Sequence, residues 1–162
     1  MSDDPEFPSR KLPARQPWLS KGNQSVIVFV TVCSHDREEV FANPEIHDLL
    51  VQKWHEADSW IVGKYVILPD HIHLFAAPNG ESSSEIRRWV KFWKSQVSKG
   101  WPRSREHTVW QRDMWDRQLR SGDSYAQKWK YVRDNPVRHG LVEHADDWPF
   151  QGELNPLAWH EE

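Results

Sequence analysis

His71 and His73 are separated by one residue in a stretch with strand-like alternation, so both imidazoles project from the same side. Ile72 and Leu74 then point the other way, toward a core. Two imidazole nitrogens on one face suit a divalent ion, and imidazole accepts zinc, manganese and other transition metals. The same spacing also fits two ordinary histidines on a solvent-facing strand, so the pair by itself admits both readings.

A second group lies far along the chain, in a segment predicted to be helical over residues 124–134. At about 100° per residue, Tyr125, Trp129 and Val132 form one stripe. Ser124, Gln127, Lys128, Tyr131 and Asn135 form another, polar one. Tyr131 therefore points away from the core, whereas Tyr125 and Tyr65 read as packing residues. Asn135 follows Tyr131 by one helical turn, so its amide oxygen could reach a metal facing the tyrosine oxygen. An asparagine closing a helix before proline is also common without any metal. A phenol ionises near ~10 and is a poor nucleophile at neutral pH, so its deprotonation needs assistance, from Lys128, one turn before Tyr131, or from a metal-bound hydroxide.

The elements that must position these groups follow from patterning. Residues 24–33 are β-branched and almost continuously apolar, as a central strand buried on both faces requires. Residues 44–58 carry Ile46, Leu49, Leu50, Trp54 and Ala57 at helical spacing behind Pro44. Residues 60–68 and 71–77 read as a hairpin joined by Pro69 and Asp70. Residues 84–99 read as a helix capped by Ser84, with an apolar stripe of Ile86, Trp89, Val90, Trp93 and Val97. Residues 108–111 suggest a short fourth strand, and Pro136 stops the last helix. The order β-α-β-β-α-β predicts an α+β, ferredoxin-like antiparallel sheet with two helices on one face. The other face is left for the helix carrying Tyr131.

A chain of 162 residues with 11 Trp and 6 Phe can bury one substantial core, so residues 24–162 are expected to form a single domain. Residues 1–23, with four prolines and no apolar periodicity, read as a flexible arm. The one cysteine, Cys33, excludes an internal disulfide and reads as core. There is no apolar run of about 18 residues and no basic-then-apolar leader, so a soluble, cytoplasmic protein without membrane contact is expected. The net charge of -3 conceals an uneven distribution: residues 85–140 hold 14 Lys or Arg against 6 Asp or Glu, and the remainder 7 against 18. Local positive charge is what a phosphate-binding surface needs.

Residues 67–75, Ile-Leu-Pro-Asp-His-Ile-His-Leu-Phe, resemble the histidine-hydrophobe-histidine signature of single-tyrosine HUH transposases. Leu68 and Asp70 stand where the commoner form has methionine and asparagine. Residues 131–142, Tyr-Val-Arg-Asp-Asn-Pro-Val-Arg-His-Gly-Leu-Val, are similar to the tyrosine motif of the REP-associated tyrosine transposases, a domesticated branch of that superfamily. Residues 109–116 are similar to a segment this branch carries before its tyrosine helix. Order and spacing match over residues 26–150.

The resemblance implies a metal-dependent single-strand DNA endonuclease and strand transferase, nucleoid-associated, acting on hairpin or REP-type DNA. Tyr131 would be the nucleophile of a 5′-phosphotyrosine intermediate, with Mg2+ or Mn2+ held by His71, His73 and Asn135. Arg87, Arg88, Lys91, Lys94, Arg112, Arg117, Lys128, Arg133 and Arg138 would position the single-stranded or hairpin DNA. Trp110 and Trp115 are candidates for stacking on bases. Related enzymes occur as monomers and homodimers. Two rival readings remain: a catalytically silent nucleic-acid-binding module, and a metal-dependent hydrolase using water instead of Tyr131.

Overall fold

Strand β1, Val28–Ser34, lies between two neighbours in a five-stranded antiparallel sheet of order β4-β1-β3-β2-β5, which accounts for its unbroken apolar character. The computed structural model describes residues 26–80 and 84–160. Helix α1, Pro44–Glu56, starts where the Asn43 side chain accepts the Ile46 N–H, and it buries Ile46, Leu50 and Trp54. β2, Trp60–Ile67, and β3, His71–Pro78, form the expected hairpin, its turn closed by the Leu68 N–H donating to the His71 carbonyl at 2.8 Å. Helix α2, Ile86–Lys99, is followed by β4, Trp110–Gln118, then α3, Tyr125–Arg133, a short α4, Asn135–Arg138, and β5, Gln151–Glu153.

The expected ferredoxin-like order of four strands is present, with β5 added beside β2. Helices α1 and α2 pack on one face, against Val28, Val30, Val32, Ile72, Leu74 and Ala76. The opposite face carries Ile27, Val66 and Phe75 beneath Tyr125 and Val132 of α3. A one-residue offset along each strand thus separates two cores. Among the described residues, no helix is long and apolar enough to cross a membrane.

Several boundaries differ from the sequence expectation. The arm at residues 1–23, and residues 24–25 of the expected first strand, lie outside the described residues. Ser84 does not cap α2; the cap position is Glu85, without a side-chain hydrogen bond, and the Ser84 carbonyl instead accepts Trp60 Nε1–H. β4 is nine residues long, not four, because polar residues such as Arg112 and Arg117 occupy an edge strand whose register is shifted between Val32 and Ser34. Pro136 ends α3 as expected, but the chain at once begins another turn, α4, in which proline occupies a position that tolerates the missing N–H.

Trp93 is fully buried, with ring contacts to Trp54, Trp89 and Trp110. It joins α1, α2 and β4. Trp93→Ala is expected to cost about 3–5 kcal/mol of folding stability, measured by urea unfolding.

Candidate active site

His71 and His73 are 1 % and 0 % exposed, with ring centroids 4.9 Å apart. They share the α3 side of β3 with Phe75, while Ile72 and Leu74 pack beneath α1 and α2. Thr31 stands opposite His73 in the β1–β3 register, and its Oγ1 is hydrogen-bonded to His73 Nδ1 at 2.8 Å. Phe29 stacks on the same imidazole, centroid to centroid 5.2 Å. The His73 ring is thus fixed by a hydroxyl at one edge and an aromatic face.

Asp70 fixes the other ring: His71 Nδ1–H donates to its Oδ1 at 2.7 Å. Burial opposes ionisation of Asp70, but the hydrogen bond and charge of His71, together with Arg37, outweigh it and hold the carboxyl below its ordinary range. Arg37 meets the same carboxylate at 2.9 Å. To reach it, Asp36 and Arg37 adopt φ of 51° and 55°, a left-handed conformation that non-glycine residues seldom hold. The hairpin turn is further anchored by the Ser34 N–H, which donates to the Asp70 carbonyl at 3.0 Å.

Tyr131 projects from α3, 44 % exposed, while Tyr125 is buried and its hydroxyl accepts the Lys64 N–H at 3.0 Å. Gly63 permits that approach, since a Cβ there would lie 2.7 Å from the Tyr125 oxygen. Tyr65 is buried as well, bonded to His47 at 2.6 Å. Of the three tyrosines, Tyr131 is the exposed one, as helical phase required. Asn135 opens α4 and is 1 % exposed, its Oδ1 accepting a hydrogen bond from Arg138 Nη2. His139, just beyond α4, brings its ring within 5.8 Å of His71, so this end of the segment closes on the histidine pair.

The two Nδ1 atoms are held inside the protein by Thr31 and Asp70, so Nε2 is the nitrogen each ring can offer to an ion. Asn135 would have to supply a neutral amide oxygen to complete the donor set. Among the described residues, no three His, Cys, Asp or Glu side chains are grouped so as to hold a metal.

The basic residues singled out from sequence do not form one surface. Arg87, Arg88, Lys91 and Lys94 belong to α2, on the opposite side of the sheet from the histidines. Arg87 is ion-paired with Asp116 at 3.2 Å, and Lys94 donates to the Gln111 carbonyl at 3.0 Å. Arg112 and Arg117 are exposed on β4, and Lys128 is exposed on α3. Arg133 pairs with Asp146, and Arg138, itself exposed, donates to the Tyr131 carbonyl and to Asn135 Oδ1. Trp110 is buried against Phe41 and Trp93, which removes it as a base-stacking surface. Trp115 is half-buried opposite Thr31 in the β1–β4 register.

The chain is 32 % identical over 112 residues, 57 % of its length, to a Haemophilus influenzae protein provisionally named a REP-associated tyrosine transposase. It is 28 % identical over 90 residues, 55 % of this chain, to the REP-associated tyrosine transposase of Escherichia coli K12. The chain is similar to REP-associated tyrosine transposases. It spans 62 % and 52 % of the lengths of these two curated relatives. No protein-family profile matches it. In fold it resembles a REP-associated tyrosine transposase solved bound to a REP hairpin, with a TM-score of 0.64, 21 % identity, and coverage of 85 % of this chain and 82 % of the other. A Deinococcus radiodurans structure, provisionally named a transposase, gives 0.51 at 16 % identity, with 72 % and 97 % covered.

Sequence reasoning missed Thr31, Arg37 and His139 as neighbours of the histidines. The Thr31 contact depends on strand register. The Arg37 contact depends on a strained turn, and neither leaves a pattern in the sequence.

Lys94 generates a prediction of its own. Burial pushes its ammonium down to about 8 from the ordinary 10.5. A base that binds its proton less tightly when folded makes stability rise with pH between those two values. Burial raises the Tyr65 and Tyr125 hydroxyls to about 12, which acts in the opposite sense only at higher pH, where unfolded tyrosine ionises. Lys94→Met is expected to remove the gain in unfolding free energy between about pH 8 and about pH 9.5. Urea titrations at the two pH values would read this, and an identical gain in the variant would refute it.

Proposed function

We propose that the protein cuts and rejoins single-stranded DNA through Tyr131, with a divalent ion held by His71, His73 and Asn135. The observation that carries this reading is the shared sheet face: the buried histidine pair lies on the side covered by α3 and α4, and His139 brings the end of α4 against His71. The similarity to REP-associated tyrosine transposases supports DNA as the substrate and hairpin or REP-type DNA as its form.

The Tyr131 oxygen attacks the scissile phosphorus, forming a P–O bond as the bond to the 3′ oxygen breaks. The products are a 5′-phosphotyrosine and a free 3′-hydroxyl. Attack by a 3′-hydroxyl reverses the exchange and joins strands, so the bond energy is retained in the covalent intermediate. A bound Mg2+ or Mn2+ would supply charge stabilisation at the non-bridging oxygens. Asp70 and Thr31 hold the Nδ1 atoms of His71 and His73, so Nε2 is the nitrogen each imidazole would offer to such an ion. Lys128, exposed one turn before Tyr131, is placed to assist loss of the phenolic proton to solvent, since a nearby positive charge favours the phenolate. Arg117, opposite Phe29 in the β1–β4 register, and Lys128 on α3 are exposed cations on the histidine side of the sheet and would meet the DNA backbone on this reading.

Incubation with Mn2+ and labelled hairpin DNA is expected to yield a labelled band that migrates with the denatured protein and disappears in Tyr131→Phe. Cleavage without an adduct would instead indicate a water nucleophile, and binding without cleavage a silent binding module.

Thr31→Val and Asp70→Ala are each expected to weaken Mn2+ binding about 10–100-fold by calorimetry, since partners that orient ligating histidines contribute on that scale. Unchanged affinity in both variants would remove the histidine pair as the ion's seat.

A further inference from the structure

We propose that Arg138 is a positioning residue for Tyr131, holding its ring and the Asn135 amide in one frame, and not a contact to DNA phosphate. This rests on the reading of Tyr131 as the nucleophile. The guanidinium carbon lies 4.0 Å from the centre of the Tyr131 ring. Nη1 donates to the Tyr131 carbonyl at 2.8 Å, and Nη2 donates to Asn135 Oδ1. One planar group therefore lies over the ring while its two terminal nitrogens reach the backbone of that residue and the side chain of Asn135. The Arg138 N–H donates to the Asp134 carbonyl at 3.0 Å, which fixes where the side chain starts.

The clamp answers a mechanical problem. Tyr131 is exposed, and an exposed ring has rotational freedom that in-line attack does not tolerate; misplacement by about 1 Å costs about 100-fold in rate. A flat cation against one ring face restricts that freedom, and cation–π attraction favours the stacked arrangement. Lysine cannot substitute, because a single ammonium on a flexible stem lacks the planar fork that spans both acceptors while stacked. The next residue, His139, touches His71, so the frame that orients Tyr131 also borders the histidine pair.

The test compares the wild-type chain with Arg138→Met and Arg138→Lys in three measurements: hairpin-DNA affinity across salt concentrations, single-turnover adduct formation at saturating DNA, and 19F NMR of protein labelled with 3-fluorotyrosine. With three tyrosines in the sequence, Tyr131→Phe assigns the signal. Both variants are expected to keep affinity within about twofold and to lose about tenfold or more in adduct rate. The Tyr131 resonance should move toward that of free 3-fluorotyrosine, while the buried Tyr65 and Tyr125 signals stay put and report an intact fold. An unchanged Tyr131 resonance would overturn the proposal. So would full rescue by lysine, or weaker DNA binding with a salt slope reduced by about one and an unchanged rate, the signature of a phosphate contact. If the wild type forms no adduct, the nucleophile reading falls and the positioning role falls with it; an unmoved resonance beside a normal wild-type adduct removes the clamp alone.

Discussion

The contact on which the site depends is the pairing of β1 with β3, in which Thr31 stands opposite His73. Successive strand residues face opposite ways, so a slip of one residue would drive both imidazoles into the α1/α2 core and take Ile72 and Leu74 out of it. Both of those side chains are fully buried in that apolar core, and burial of each contributes about 1.5–3 kcal/mol relative to water. The chemistry on one face is therefore held in register by the hydrophobic packing on the other. The same register delivers the Thr31 hydroxyl to His73 and places Cys33 across from His71.

The two layers on the sheet differ in character. Beneath α1 and α2 the core is rich in tryptophan, with Trp54, Trp60, Trp89, Trp93 and Trp110 linked by ring contacts. That rigid half carries the strands from which the histidines project. The α3 side combines an apolar patch around Tyr125, Phe75 and Val132 with a polar end where Asn135, Arg138 and His139 gather. Rigid strands supply the fixed side chains and a short, kinked helical segment supplies the exposed tyrosine. The left-handed turn at Asp36 and Arg37 braces the strand ends, because it aims a cation from the end of β1 at the carboxylate that orients His71.

Charge behaves differently in three dimensions than in composition. The basic segment at residues 85–140 stands out against an acidic remainder. Folding engages much of that positive charge internally, in Arg87 with Asp116, Arg133 with Asp146, Lys94 with a backbone carbonyl and Arg138 with Asn135. It also divides the rest between opposite faces of the sheet. A cation count along the chain therefore overstates the surface available to a polyanion.

The strand alternation around His71 and His73, the helical phase that separates Tyr131 from Tyr125, and the β-α-β-β-α-β order were all legible in the residues, because each is a local periodicity of two or 3.6. The resemblance of two short motifs likewise needed only the order of the chain. The length of β4 and the existence of β5 were not legible, since edge strands carry polar residues and take their form from a neighbour's hydrogen bonds. Nor were the contacts of Thr31, Arg37, Arg138 and His139. Thr31 and Arg37 meet their partners only through strand register and a strained turn. Arg138 lies close to its partners in sequence, but whether a guanidinium turns toward a ring or toward solvent is decided by the kink between α3 and α4. Sequence periodicity set which side chains share a face; the packing of distant segments decided which of them touch.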